Sequence, residues 1–211
     1  MLVDFNHGSG FVYGRDASDA QPLGARINGR IDAALEAERE GQRPRDYLGA
    51  SRIGEPCARR LVYEVTHTPP DPGKDFEGRM LRIFAAGHVF EDLAIRWLRQ
   101  AGFDLRTQTQ AGGQFGFETA GGRIRGHVDG VIVDGPEIGL EWPVLWEHKA
   151  LKASSWSDTA KKGVQLSKPV YFGQMQIYMA YMGLGSALFT ALNKDTCEIH
   201  HELVPFDPAA A

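Results

Sequence analysis

The chain reads as an α/β (α+β) fold, a central mixed β-sheet flanked by helices. Helical and strand-like stretches follow one another in the order helix, strands, helix, strands, which is the pattern of a layered fold. The strand-like runs are short, rich in Val and Ile, and bounded by Gly and Pro. No internal repeat or low-complexity tract breaks this order.

The elements follow in turn. The first two dozen residues are rich in Gly, Asp and Ser without a period, as expected of a loose arm. Ala25 to Gln42 has Ile27, Ile31 and Leu35 four apart, which predicts a helix with a charged outer face. Arm and helix, residues 1–49, are expected to precede a main domain over 50–211. "SRIGEPCARRLVYEV" predicts a short helix entered at Pro56. The Pro-rich run Thr66 to Asp75 can only be a connector.

A long helix is predicted from Phe76 to Gln100, with the stripe Met80, Phe84, Gly87, Ala94 and Leu98 and a stop at Gly102. Strands are expected near 103–110, 114–118, 123–133 and 143–150. The polar stretch 151–169 leads into a second helix, Pro169 to Met182. "SALFTALN" and "EIHHELVPF" complete the sheet.

A chain of 211 residues with 43% hydrophobic and 24% charged residues is an ordinary globular domain. No apolar run approaches a membrane span, and the opening "MLVDFNHGSG" is no secretory signal. The two cysteines, Cys57 and Cys197, fit no metal pattern, so a reducing, cytoplasmic setting is expected. A net charge of −4 argues against a uniformly basic surface but leaves room for a nucleic-acid partner held by local patches or bound cations.

The chemistry is suggested by "GHVDGVIV" and "LWEHKA", two strand-like runs with charge in the middle. Alternation along a strand would put His127 and Asp129 on one face, and Glu147 and Lys149 on another. If the strands are neighbours, Asp129 and Glu147 converge with Lys149 beside them. Paired carboxylates suit Mg²⁺, and a nearby lysine can orient or deprotonate water and offset anionic charge. The competing reading is an Asp129–Lys149 salt bridge with Glu147 facing solvent.

Further residues point the same way. Glu91 falls on the apolar stripe of the long helix, where a carboxylate needs a partner, and His88 lies one turn before it. Gln174 and Tyr178 share a face of the second helix. Arg52, Arg59, Arg60, Arg79, Arg82, Lys152, Lys161, Lys162 and Lys168 supply positive charge for phosphates. Trp156 and Tyr171 are candidates to stack on bases, with core packing as the alternative.

With these residues in view, "GHVDG" followed by "WEHK" resembles the D…ExK core of the PD-(D/E)XK nuclease superfamily. "QMQIY" resembles the Q-x-x-x-Y motif of its RecB-like branch, which includes phage-type exonucleases, and "FAAGHVFEDL" resembles that branch's first motif. The resemblance covers about Ser51 to Val204.

It implies a restriction-endonuclease-like core and Mg²⁺, with Mn²⁺ able to substitute. Metal ligands would be Asp129, Glu147, the backbone carbonyl of His148, and Glu91 or else His88. Lys149 is implied as the catalytic lysine, His127 as a substrate-orienting group, and Gln174 and Tyr178 as support for the site. DNA contacts would come from Arg52, Arg59, Arg60, Lys152, Lys161, Lys162 and Lys168.

Some relatives carry a four-cysteine iron–sulfur cluster. Here only Cys57 stands at a matching place, so no cluster is expected and Cys57 reads as a small buried hydrophobe. The expected activity is a metal-dependent DNA exonuclease of the phage recombination or repair type. A single-strand annealing protein is the implied partner besides DNA, and a homo-oligomer stays open. Alternatives are an endonuclease, a DNA-binding subunit with a dormant site, and a small-molecule phosphoesterase.

Overall fold

The computed structural model describes residues 22–71 and 77–211. The arm up to residue 21 and the end of the Pro-rich connector, residues 72–75, lie outside them, as does Phe76 at the expected start of the long helix.

The main sheet has five strands, β2 (Leu105–Arg106), β5 (Gly130–Ile132), β6 (Val144–Leu151), β7 (Ser186–Asn193) and β8 (Ile199–Pro205), in the order β2-β5-β6-β7-β8. It is mixed, because β6 and β7 run parallel while the other pairs are antiparallel. β6 and β7 are central strands buried along most of their length. The near-continuous apolar run of β7 reflects burial on both faces, whereas β6 carries Glu147, His148 and Lys149 within its apolar ends.

On one face, Ile132, Val144, Trp146 and Leu188 pack against Ala94, Ile95 and Leu98 of α3 (Gly78–Gln100). On the other, Leu145, Leu151, Phe189 and Ala191 meet Met175, Tyr178 and Met179 of α6 (Pro169–Met182). Each fully buried side chain of this size contributes roughly 1.5–3 kcal/mol. α6 starts on Pro169 and ends at Gly183 in the left-handed conformation (φ 67°), the cap that a side chain would strain.

A second, three-stranded sheet is formed by β1 (Leu48–Gly49), β4 (Ile124–His127) and β3 (Gly116–Thr119), in the order β1-β4-β3. The expected strand 123–133 is therefore two strands. The chain leaves the small sheet after His127 and enters the large one at Gly130, so Asp129 stands at the seam and not in mid-strand. Val128 N–H donates to Phe115 O at 3.0 Å, and Gln114 Nε2 donates to Val128 O at 3.2 Å, which fixes the crossing.

Other expectations need correction. The stretch 151–169 is not an irregular lead but mainly two helices, α4 (Ala153–Lys162) and α5 (Val164–Ser167), hinged at Gly163 (φ 79°). The short helix α2 (Ala58–Val65) begins after Cys57, not at Pro56, and Cys57 is exposed. Helix α1 (Leu23–Glu40) turns its polar side to α3: Glu36 accepts from Gly78 N–H at 2.8 Å, and Asp32 pairs with Arg82 at 3.2 Å. Ile27 and Ile31 are left 51% and 43% exposed. On α3, Met80 and Phe84 are likewise exposed, and only the C-terminal half of the expected stripe enters the core.

Candidate active site

Register places the charged groups. Gly130 pairs with Trp146, so the seam residue Asp129 lies beside β6, and its Oδ2 accepts from His148 N–H at 2.8 Å. Glu147 and Lys149 are two residues apart on β6 and share a face, as strand alternation requires. Glu147 is 0% exposed, which rules out the solvent-facing alternative. Its Oε1 accepts from Lys149 Nζ and from Gln174 Nε2, the latter at 2.8 Å. Its Oε2 is buried and has no hydrogen-bond partner among the described residues.

Lys149 Nζ also donates to His148 O at 3.0 Å, lies 3.9 Å from Asp129 Oδ2, and sits 5.2 Å from the centre of the Tyr171 ring. Burial of Glu147, reinforced by the charge of Asp129, pushes its carboxyl above the ordinary range. Burial also opposes the charge on Lys149, but the carboxylates of Glu147 and Asp129 overturn that effect and hold the ammonium protonated. Burial and the Glu147 charge raise the Tyr178 phenol as well.

With Glu147 buried directly beneath them, Asp129 and Lys149 form the floor of a cleft of about 770 Å³. Glu91, His88 and Phe84 of α3 line it, as do Tyr171, Gln174 and Tyr178 of α6 and His127 of β4. Burial, followed by the Asp129 charge, raises the carboxyl of Glu91, which marks its closeness to the centre. His88 is 81% exposed, with Nδ1 3.9 Å from Glu91 Oε2. The side chain of His148 lies on the opposite face of β6, stacked on Trp146 at 5.5 Å, and burial lowers its pKa to about 4.

Of the basic residues singled out in the sequence, Arg52 lines the cleft, where it is paired with Glu55 and Glu64. Arg59, Arg60, Lys152, Lys161, Lys162 and Lys168 do not line it. Arg60 pairs with Glu55, Lys162 pairs with Asp158, and Lys168 donates to Ser167 O. Trp156 packs into the core and donates to Ala191 O at 2.9 Å.

Besides Arg52 and Lys149, the cleft holds positive charge from residues that sequence reasoning missed. Arg45, Tyr47 and Arg125 line it, with the Arg125 guanidinium 4.9 Å and the Arg45 guanidinium 5.9 Å from the Tyr47 ring centre. The pairing of Leu48 with Ile124 brings them together across the chain.

Among the described residues no three His, Cys, Asp or Glu side chains form a metal cage by themselves. The oxygens present still suit a hard cation that keeps several waters: two carboxylates in register, a third nearby, and a buried Glu147 Oε2 lacking any partner. Among the described residues no helix is long and apolar enough to cross a membrane.

No family model matches the chain, and no curated protein matches it in sequence. Solved structures do match in fold. An alkaline exonuclease from Laribacter hongkongensis (LHK-Exo) superposes with a TM-score of 0.53 at 18% identity, over 86% of this chain and 84% of its own. The same exonuclease in complex with dAMP gives 0.54 at 19% identity, over 86% and 84%. The protein SSO0001 gives 0.50 at 17% identity, over 87% and 80%. The chain thus has the fold of an alkaline exonuclease, the mixed sheet between helices that its D…ExK resemblance implied.

Proposed function

We propose that this protein is a divalent-metal-dependent deoxyribonuclease, acting as an exonuclease in recombination or repair of phage type. The observation that carries the reading is the convergence of Asp129 and Lys149 at the floor of a cleft on Glu147 buried beneath them, one oxygen of which has no hydrogen-bond partner among the described residues. The shared fold with an alkaline exonuclease, one crystal of which holds dAMP, supports a nucleic-acid substrate. It also favours the exonuclease over the endonuclease.

Asp129, Glu147 and Glu91 would hold Mg²⁺ or Mn²⁺. His148 O is the fourth candidate ligand, and His88 the alternative to Glu91. Bound there, the ion supplies Lewis acidity toward a phosphate oxygen and lowers the pKa of a coordinated water.

The chain's own groups do the rest. Lys149 presents a charged ammonium to the cleft and offsets the charge that develops on phosphorus oxygens as water adds and the P–O ester bond breaks. Gln174 fixes the Glu147 carboxylate through its 2.8 Å hydrogen bond, and Tyr178 closes the floor behind it. Arg45, Arg125 and His127 stand where flanking phosphates would pass.

The test is degradation of end-labelled linear duplex and of closed circular DNA, with Mg²⁺ or EDTA, by wild type, Lys149→Ala and Glu147→Ala. Metal-dependent loss of linear DNA alone, abolished in both variants, is expected. Loss of the circle as well would make the protein an endonuclease. DNA binding without cleavage in Mg²⁺ and Mn²⁺ would make it a binding subunit.

A further inference from the structure

The contacts of Lys149 are unequal in kind. Three are to oxygens, Glu147 Oε1, His148 O and Asp129 Oδ2, and each of these is a group expected to face a divalent cation once one is bound. The fourth is to the face of Tyr171, 5.2 Å from the ammonium to the ring centre. An aromatic face attracts a cation through its quadrupole and offers nothing to Mg²⁺ that an oxygen does not offer better. When the carboxylates turn to the metal, the ring is the contact that still defines where the ammonium sits.

From this geometry we infer that Tyr171 is a positioning residue for the reaction, with its ring face holding the Lys149 ammonium over the cleft floor. The inference rests on the reading of Lys149 as the catalytic ammonium. Tyr171 lies in the first turn of α6, one turn before Gln174, so one helix end carries both supports. Gln174 steadies the carboxylate and Tyr171 steadies the cation. Both line the cleft, but only Gln174 has a hydrogen bond to the acid pair. The competing role, a platform for a nucleobase, uses the same ring and makes the opposite kinetic prediction.

The test compares Tyr171→Leu and Tyr171→Phe in the full chain. A ring that positions Lys149 acts on turnover: Tyr171→Leu lowers kcat about tenfold, while KM and the Kd for a short oligonucleotide in Ca²⁺ stay near wild type. Tyr171→Phe keeps the ring face and recovers most of the lost rate.

A second readout needs no activity. In ¹³C-lysine-labelled protein, assigned with Lys149→Arg, the ε-methylene protons of Lys149 carry an upfield ring-current shift, without metal and with Ca²⁺. That shift survives in Tyr171→Phe and vanishes in Tyr171→Leu. A rise in KM and Kd with unchanged kcat would overturn the inference in favour of base stacking. Equal loss in the Phe and Leu variants would overturn it in favour of the phenol hydroxyl. Absence of the ring-current shift in wild type would overturn it outright. Inactivity of wild type in both Mg²⁺ and Mn²⁺ would instead refute the proposed function, with the NMR result still deciding the geometry.

Discussion

The side-chain amide of Gln174 donates to Glu147 Oε1 at 2.8 Å, joining helix α6 to the central strand β6 beneath the cleft. A buried carboxylate with one oxygen unpartnered depends on the bonds to the other, and Gln174 supplies one of the two. Gln174→Ala is expected to cost about 1–3 kcal/mol in urea unfolding, since it strips a partner from a buried charge. It should also lower kcat more than KM, because the carboxylate loses its orientation without any loss of cleft charge.

Divalent cations should stabilise the folded protein. The unpartnered Glu147 Oε2 and the raised carboxyls of Glu147 and Glu91 are relieved by positive charge, so Mg²⁺ or Mn²⁺ should raise Tm in a concentration-dependent way. Glu147→Gln and Asp129→Asn should abolish that rise. An unchanged metal response in both variants would place the cation elsewhere.

A Cβ added at Gly126 would collide first with the Phe117 ring and would also stand 2.8 Å from Tyr178 Cε1. Gly126→Ala therefore forces a ring already in edge contact with Phe117 (5.8 Å between centres) to move. A loss of about 1–3 kcal/mol is expected, with a fall in kcat as Tyr178 leaves the cleft floor. Thermal unfolding and steady-state kinetics read the two effects separately.

His148 gives a pH prediction. Burial, with the Lys149 charge next, lowers its pKa to about 4, and neither ring nitrogen has a partner. Between about pH 6.5 and 4 the unfolded chain takes up a proton that the folded one refuses, so stability falls on acidification through that window. The loss amounts to about 3 kcal/mol by pH 4. His148→Phe keeps the ring on Trp146 and removes the titration, and its stability profile should be flatter over the same window.

Arg125→Ala should raise KM several-fold with little change in kcat, and reduce the salt slope of DNA binding by about one. Lys161→Ala and Lys162→Ala lie outside the cleft and should leave both parameters near wild type.

The sequence made some elements plain and concealed others, for physical reasons. Helix α6 and strand β7 were legible to the residue, since Pro169 and Gly183 punctuate the one and an unbroken apolar run marks the other. Helix α4 was not, because no apolar stripe announces it. Its start is held by Asp195 Oδ2, which accepts from Ala153 N–H, and by Trp156 reaching Ala191 O, both distant in sequence.

The lysines between Lys152 and Lys168 stand out in the sequence but do not line the cleft. Two cations that do line it beside Arg52 and Lys149, namely Arg45 and Arg125, are placed by a two-residue parallel pairing that has no local signature. The acid pair and Lys149 were legible because strand alternation is a local rule. The break at Asp129 was not, since "IRGHVDGVIV" has the composition of one strand and only its partners divide it.

That break also divides the walls of the cleft between two frames. Arg125 and His127 ride on the small sheet, whereas Glu147 and Lys149 belong to the large one, and the backbone passes between them at a single acidic residue. The distance between the two groups is therefore set by how one sheet leans on the other, and Phe117 of β3 braced edge-on against Tyr178 of α6 holds that lean.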